Sequence, residues 1–287
     1  MPVIWATGSL KRAQEIALAE VVFEIPISPK TSKSQWEGTE SKPNCIAENT
    51  SFFSIALTSE KSLVGLSKSI GITDNLMLAN IKLSVIPIDL DKPTRDFSEV
   101  KAMEKNEVFS AMQLGFDSVP SHCDLLVLGE MGISNTTSAS AISCALFNEP
   151  VAHMTGIGTG LNKKQLSKKI EIIKSALKLH GKNFKDPISI LSCYGGREIA
   201  AIAGSVISAR LKSIPVLLDG FICTAAASSL ILFDKMLLDH CRISHLSSEQ
   251  GHAIVLRNLK MEPILDLNLR LGEGSGAAIA SLILRAA

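Results

Sequence analysis

The side chains best suited to chemistry in this chain lie in clusters bordered by glycine. In the segment Leu128-Gly-Glu-Met-Gly-Ile-Ser-Asn-Thr-Thr-Ser138 an apolar run ends in glycines, and a helix start follows at Asn135, Thr136 and Thr137. Free backbone N–H groups, hydroxyls and the positive end of a helix dipole converge there, a combination suited to a phosphate. The competing reading is that Asn135 and Thr136 only cap the helix. Neither a Walker lysine nor a G-x-G-x-x-G run accompanies the cluster, which turns the reading away from ATP and dinucleotides.

A second glycine turn, Thr155-Gly-Ile-Gly-Thr-Gly-Leu161, lets backbone approach a ligand. The lysines after it, Lys163, Lys164, Lys168 and Lys169, read by default as a solvated helix face; Lys169 is the one suited to turn inward against an anion. Around Ser244-His-Leu-Ser-Ser-Glu-Gln-Gly-His252, the residues His245, Glu249 and His252 lack the H-E-x-x-H register, and no G-x-S-x-G elbow surrounds any serine. That segment reads instead as a helix start capped by Ser247 or Ser248, with Glu249 in the first turn. In Leu269-Arg-Leu-Gly-Glu-Gly-Ser-Gly-Ala-Ala-Ile279, Glu273 lies among Gly272, Gly274 and Gly276 at the end of an apolar strand. A carboxylate on such a turn is placed to accept a proton; the alternative is a glutamate interacting with the dipole of the helix that follows.

The elements that must hold these clusters alternate. Residues 82–90 read as a strand, placed at a sheet edge by Pro87. Residues 125–128, 188–192 and 216–218 are short apolar runs that read as buried strands, each followed by a glycine turn and a helix: about 136–147, then through Leu211, then 225–233. That alternation predicts an α/β fold with a mainly parallel sheet and ligands at the carboxyl ends of its strands. Earlier in the chain, residues 11–22 have helical spacing, 28–49 read as a polar loop, and 51–72 are compatible with helix without deciding it.

Composition narrows the function classes. The 287 residues carry 29 basic and 28 acidic side chains, a formal charge of +1, without the basic footprint of a nucleic-acid or anionic-membrane binder. The amino terminus lacks the basic flank and apolar core of a secretory signal. The longest apolar stretch, 221–233, is shorter than the roughly 20 residues that span a bilayer. A cytoplasmic protein is expected. Cys45, Cys123, Cys144, Cys193, Cys223 and Cys241 show no C-x-x-C pair or regular spacing, so they read as reduced thiols and not as a disulfide framework or zinc site. Aromatics make up only 5%, with a single tyrosine, beside abundant small residues that suit close packing of layers.

Taken in order, Gly129-Glu-Met-Gly-Ile-Ser-Asn-Thr-Thr137, Gly195-Gly-Arg-Glu-Ile-Ala200, Leu217-Leu-Asp-Gly-Phe221, the His245-x-Ser247-x-Glu249 block and Arg270-Leu-Gly-Glu-Gly-Ser-Gly-Ala277 closely resemble the nicotinate-nucleotide:dimethylbenzimidazole phosphoribosyltransferase family. Thr7-Gly-Ser-Leu10, Pro93-Thr-Arg-Asp-Phe97 and Ala102-Met103 also find counterparts. The resemblance is specific from about Thr94 to Ala280 and fragmentary before that. The family's aspartate-histidine-glycine segment is missing, and Ser134 stands where a glycine or alanine is usual.

The resemblance implies a three-layer Rossmann-like α/β domain over residues 73–287, with a small helical subdomain, residues 1–72, that supplies part of the base pocket. It implies transfer of the phosphoribosyl group of nicotinate mononucleotide to 5,6-dimethylbenzimidazole, giving α-ribazole 5′-phosphate and nicotinate in cobalamin biosynthesis or salvage. Nicotinate leaves as a neutral pyridine, so one carboxylate suffices to take the benzimidazole N–H proton. That base is Glu273 by analogy, and the apolar neighbours Leu269 and Leu271 would raise its pKa towards neutrality. Phosphate and ribose fall to Gly132, Asn135, Thr136, Thr137, the turn Gly158, Thr159, Gly160 and Leu161, and an inward-turned Lys169. Glu130, Met131, Gly220, Ser247, Leu271 and Gly272 would line the base and nucleotide sites. Ser28 and Gln35 look like the segment that holds dimethylbenzimidazole, with Gln35 one position out of register. No metal or other cofactor is required, and a homodimer is implied. The alternatives are a reduced homologue that binds a nicotinate nucleotide without turnover, or a transferase for a different base.

Overall fold

The computed structural model describes residues 52–58, 81–87, 93–131, 134–157, 162–269 and 274–287. Among them six strands form one sheet: β1 (Phe52–Thr58), β2 (Ile81–Pro87), β3 (Leu125–Met131), β4 (Val216–Leu218), β5 (Cys241–Ser247) and β6 (Pro263–Leu269). Their spatial order is β2-β1-β3-β4-β5-β6, and every pairing is parallel. The chain order reverses between β1 and β3, the kind of switch point beside which open parallel sheets bind ligands. β2 lies at the edge, as Pro87 requires, because a proline has no N–H to give a further ladder.

Helices cover both faces. α9 (Ser275–Ala286) lays Ala277, Ala278 and Ala280 on Leu125 and Val127 of β3, Leu217 of β4 and Leu265 of β6. Leu126 and Leu128 alternate to the opposite face and are equally buried. There α7 (Gly220–Ser228) packs on β3 and β5, and α6 (Arg197–Leu211) on β3. Outside these lie α1 (Lys105–Ser118) and α2 (Asn135–Phe147), and the short α3 (Val151–Met154) follows α2. The small-residue content has a visible use where α1 crosses α6. A Cβ on Gly115 would come 1.8 Å from the Ala201 carbonyl oxygen, and one on Gly204 would come 1.9 Å from that of Met112. The two backbones therefore touch through glycine.

Several expectations are corrected. Residues 188–192, read as a strand, belong to a helix, α5 (Pro187–Tyr194). Its start is written in the chain: Asp186 accepts the Ser189 N–H at 2.7 Å, and Pro187 occupies the first turn, where its missing N–H costs nothing. A short apolar run that is buried on all sides has no period to tell strand from helix, so the cap is what decides. Residues 51–72, compatible with helix from the sequence, contain strand β1, which pairs with β2 and β3. The helix expected at 225–233 starts earlier, at Gly220, and tightens to a 3₁₀ turn over Ser229–Leu232. Neither Ser247 nor Ser248 occupies the capping position of α8 (Gln250–Leu259): Glu249 does, and the Ser247 hydroxyl accepts the Glu249 N–H at 3.2 Å. The readings of 11–22 and 28–49 fall outside the described residues. Cys123, Cys144, Cys193, Cys223 and Cys241 are free thiols, and burial pushes Cys144 and Cys241 up to about 12.

Candidate active site

The carboxyl ends of β3, β4, β5 and β6 lie side by side, so Glu130, Asp219, Ser247 and Leu269 end on one rim of the sheet. At the β3 end, α2 begins at Asn135, after Ser134 turns the backbone into the left-handed region at φ 63°. Ser134 holds the capping position without a side-chain bond, and Asn135 and Thr136 are committed elsewhere. The Asn135 amide donates to the Glu130 carboxylate and is also hydrogen-bonded to Glu198 in the first turn of α6. Burial raises the Glu198 carboxyl above its ordinary range, with the bond from Asn135 opposing it. Thr136 Oγ1 accepts from Lys169 Nζ at 2.9 Å. The alternative that Asn135 and Thr136 serve as caps is thereby set aside.

Lys169 projects from α4 (Lys163–His180) and also donates to the Gly156 carbonyl at 3.3 Å. It is buried, whereas Lys163, Lys164 and Lys168 on the same helix are exposed. Burial pulls its pKa below the usual lysine range, and the nearby Glu249 carboxylate pulls it back up. A helix start bare of side-chain caps, beside a buried ammonium and two hydroxyl residues, Thr136 and Thr137, is chemically suited to an anion.

At the β4–β6 end the organising group is Asp219, buried immediately after β4. Its Oδ2 accepts the Gly274 N–H at 2.8 Å, and its Oδ1 accepts the Ala277 N–H at 2.9 Å. One carboxylate thus closes the amino terminus of α9 from the far side of the sheet rim. His245 lies against it, with Nδ1 3.4 Å from Asp219 Oδ1 and 3.0 Å from Ser244 Oγ. The imidazole fills the space that glycines leave: a Cβ on Gly276 would come 2.1 Å from His245 Nδ1, and one on Gly220 3.3 Å from Cε1. Gly220 also has φ +71°, so two constraints demand glycine there. A Cβ at Gly220 would lie 3.9 Å from that of Ser247, which brings these two expected residues together.

His252 supports the same corner. Its Nδ1 accepts the Ser247 N–H at 3.0 Å, so the ring hydrogen sits on Nε2, 3.1 Å from Thr224 Oγ1. Thr224 Oγ1 in turn donates to the Gly220 carbonyl at 2.6 Å. Burial pushes His252 down to about 3, so it is neutral. His245, Glu249 and His252 are therefore separate fixtures: His245 pairs with Asp219, and His252 fastens Ser247 to Gly220 through Thr224.

The phosphoribosyltransferase family model DBI_PRT matches residues 57–287. The chain belongs to this family. It is 39% identical over 280 residues, 98% of its length and 83% of the relative's, to nicotinate-nucleotide–dimethylbenzimidazole phosphoribosyltransferase of a Ruegeria species. The protein of the same name from Mesorhizobium japonicum is 47% identical over 210 residues. Those residues are 73% of this chain, which spans 62% of the length of that relative. Among solved structures, CobT from Thermus thermophilus superposes with a TM-score of 0.72 at 28% identity, covering 83% of this chain and 82% of that one.

Of the residues anticipated from the sequence, Glu130, Asn135, Thr136, Thr137, Gly220 and Ser247 lie along the rim or in the first turn of α2, Lys169 reaches Thr136 from α4, and Met131 ends β3. Ser28, Gln35, Gly132, Gly158, Thr159, Gly160, Leu161, Leu271, Gly272 and Glu273 lie outside the described residues. Sequence reasoning assigns no role to Asp219, Glu198, Thr224 or His252. Asp219 and Glu198 stand inside segments that carry the resemblance, Leu217–Phe221 and Gly195–Ala200, and for Asp219 an acid beside a glycine at the end of an apolar run is the signal that marks it. Among the described residues no helix is long and apolar enough to cross a membrane.

Proposed function

We propose that the protein transfers the phosphoribosyl group of nicotinate mononucleotide to 5,6-dimethylbenzimidazole, releasing nicotinate and α-ribazole 5′-phosphate. The observation that carries this reading is the division of the rim: an anion seat at Thr136 and Lys169, and an anchored glycine turn at Gly274. In a chain of this family, the first receives the phosphate and the second presents the base. The bond between the anomeric carbon and the pyridine nitrogen breaks, and its electron pair neutralises the ring cation. One benzimidazole nitrogen attacks the opposite face of the sugar, turning a β-linked nucleotide into an α-linked one. The proton on the other nitrogen passes to Glu273, which precedes Gly274 in the chain. The α9 terminus that Glu273 could otherwise serve is already closed by Asp219, which favours a role for Glu273 outside helix capping.

The same reading has the enzyme act in the cytoplasm as a homodimer, which light scattering checks. Purified protein incubated with nicotinate mononucleotide and a panel of bases should release nicotinate with 5,6-dimethylbenzimidazole. Nucleotide binding without nicotinate release from any base would overturn the enzymatic reading. Glu273→Gln should abolish turnover while nucleotide affinity survives; persistent turnover would remove Glu273 as the base.

A further inference from the structure

The carboxylate of Glu249 is not used by the reaction outlined above. Its backbone is held firmly: the N–H donates to Ser247 Oγ at 3.2 Å, and the carbonyl accepts the His252 N–H at 2.9 Å. Its side chain runs towards the anion seat, where Oε2 lies over Gly156 so closely that a Cβ there would be 2.3 Å away. Gly156 is the residue whose carbonyl Lys169 holds, and Glu249 is close enough to Lys169 to raise its pKa. Glu249 Oε2 is buried and has no hydrogen-bond partner among the described residues.

A buried carboxylate oxygen without a donor is costly and uncommon, so its persistence calls for a donor that arrives with a ligand. An ionised carboxylate only accepts, and it repels the phosphate that the neighbouring lysine attracts. The group it meets must therefore be a neutral O–H or N–H next to the phosphate. Position narrows this further: the carboxylate lies over Gly156 beside Lys169, on the phosphate side, while the backbone N–H of the same residue is held by Ser247 Oγ, which the proposed reaction puts towards the base. The part of a nucleotide between its phosphate and its base is the sugar.

We infer that Glu249 accepts a hydrogen bond from a ribose hydroxyl of the donor nucleotide and thereby selects ribonucleotides over deoxyribonucleotides. This rests on the phosphoribosyl-transfer reading. Gly156 is then required for the same purpose, since any side chain there would displace the carboxylate from the sugar.

The test compares nicotinate mononucleotide with its 2′-deoxy and 3′-deoxy analogues, by nicotinate release and by calorimetric binding, in the wild type, Glu249→Gln and Glu249→Ala. The wild type should use one deoxy analogue about ten- to a hundredfold less well in kcat/KM, the range of a charge-assisted hydrogen bond. Glu249→Ala should bring the ribonucleotide down to the level of that analogue, so that the ratio falls towards one, and Glu249→Gln, which keeps the shape and an acceptor oxygen, should lie between. If the wild type turns over all three nucleotides equally, or the ratio survives in the variants, the inference is overturned and the transferase reading stands. If the wild type neither binds nor uses nicotinate mononucleotide, both are overturned. Should Glu249→Ala fail to fold, the wild-type comparison and Glu249→Gln still decide.

Discussion

Replacing Asp219 by asparagine isolates the contribution of a side chain that reaches across the rim. Asp219 gives one oxygen to the Gly274 N–H at 2.8 Å and the other to the Ala277 N–H at 2.9 Å. Asparagine keeps one carbonyl oxygen and sets an N–H₂ group against the remaining backbone donor. The buried N–H it abandons costs about 1–3 kcal/mol, and losing the negative charge at the start of α9 costs about 0.3–1 kcal/mol more. A loss of about 1–4 kcal/mol corresponds to a fall in Tm of roughly 2–7 °C for a chain of this size. Gly274 directly follows Glu273, so freeing it also loosens the backbone next to the proposed base. Misplacement by about 1 Å is worth roughly a hundredfold in rate. Nicotinate release should therefore show kcat down by about two orders of magnitude, with KM for nicotinate mononucleotide little changed, because Lys169 and Thr136 bond to each other and not to Asp219. Unchanged kcat in a variant that melts earlier would refute the coupling between this cap and the glycine turn.

Three further outcomes follow from the geometry. Lys169→Met should weaken nicotinate mononucleotide binding about ten- to a hundredfold while leaving nicotinate riboside, which lacks the phosphate, nearly unaffected; equal losses for both would dissociate Lys169 from the phosphate. His252, pushed down to about 3, and His240, pushed down to about 4, both chiefly by burial, are neutral in the fold but take up protons near pH 6.5 when unfolded. Stability should thus be complete above about pH 6.5 and be lost on acidification by up to about 1.4 kcal/mol per pH unit for each histidine. Urea midpoints from pH 7.5 to 5 should reveal that slope, and His252→Gln should make it shallower; an identical slope would mean that His252 does not titrate on unfolding. Gly204→Ala forces a methyl group to within 1.9 Å of the Met112 carbonyl unless α1 and α6 separate, so denaturation should show a loss of about 1–3 kcal/mol or more. A neutral result would mean that the helices yield without cost.

Much of the scaffold is legible because its signals are local. The apolar runs 125–128 and 216–218 lie in buried strands, the second leading through Asp219 straight into the helix that begins at Gly220, and a parallel sheet is the arrangement that accommodates such units. Pro87 points to an edge strand because a proline has no N–H to give to a neighbour on a second side. Where the signal is not local, sequence reasoning goes astray. The run 188–192 has the composition of a strand, and only the Asp186–Pro187 cap distinguishes it as a helix. Lys169 cannot be told from Lys163, Lys164 and Lys168 by spacing; the resemblance singles it out, and the packing of α4 against α2 and α3 buries it.

The sequence by itself determined the kind of molecule: a neutral, small-residue α/β chain whose clustered glycines, hydroxyls and acids carry the pattern of its family. Tertiary structure alone decided which groups meet. Asp219 reaches the capping Gly274, 55 residues later in the chain. Asn135 is shared between Glu130 and Glu198, and Glu249 lies over Gly156 beside Lys169. These pairings depend on the lateral order of parallel strands, and strand order is set by how side chains pack across the sheet, which spacing along one strand does not contain.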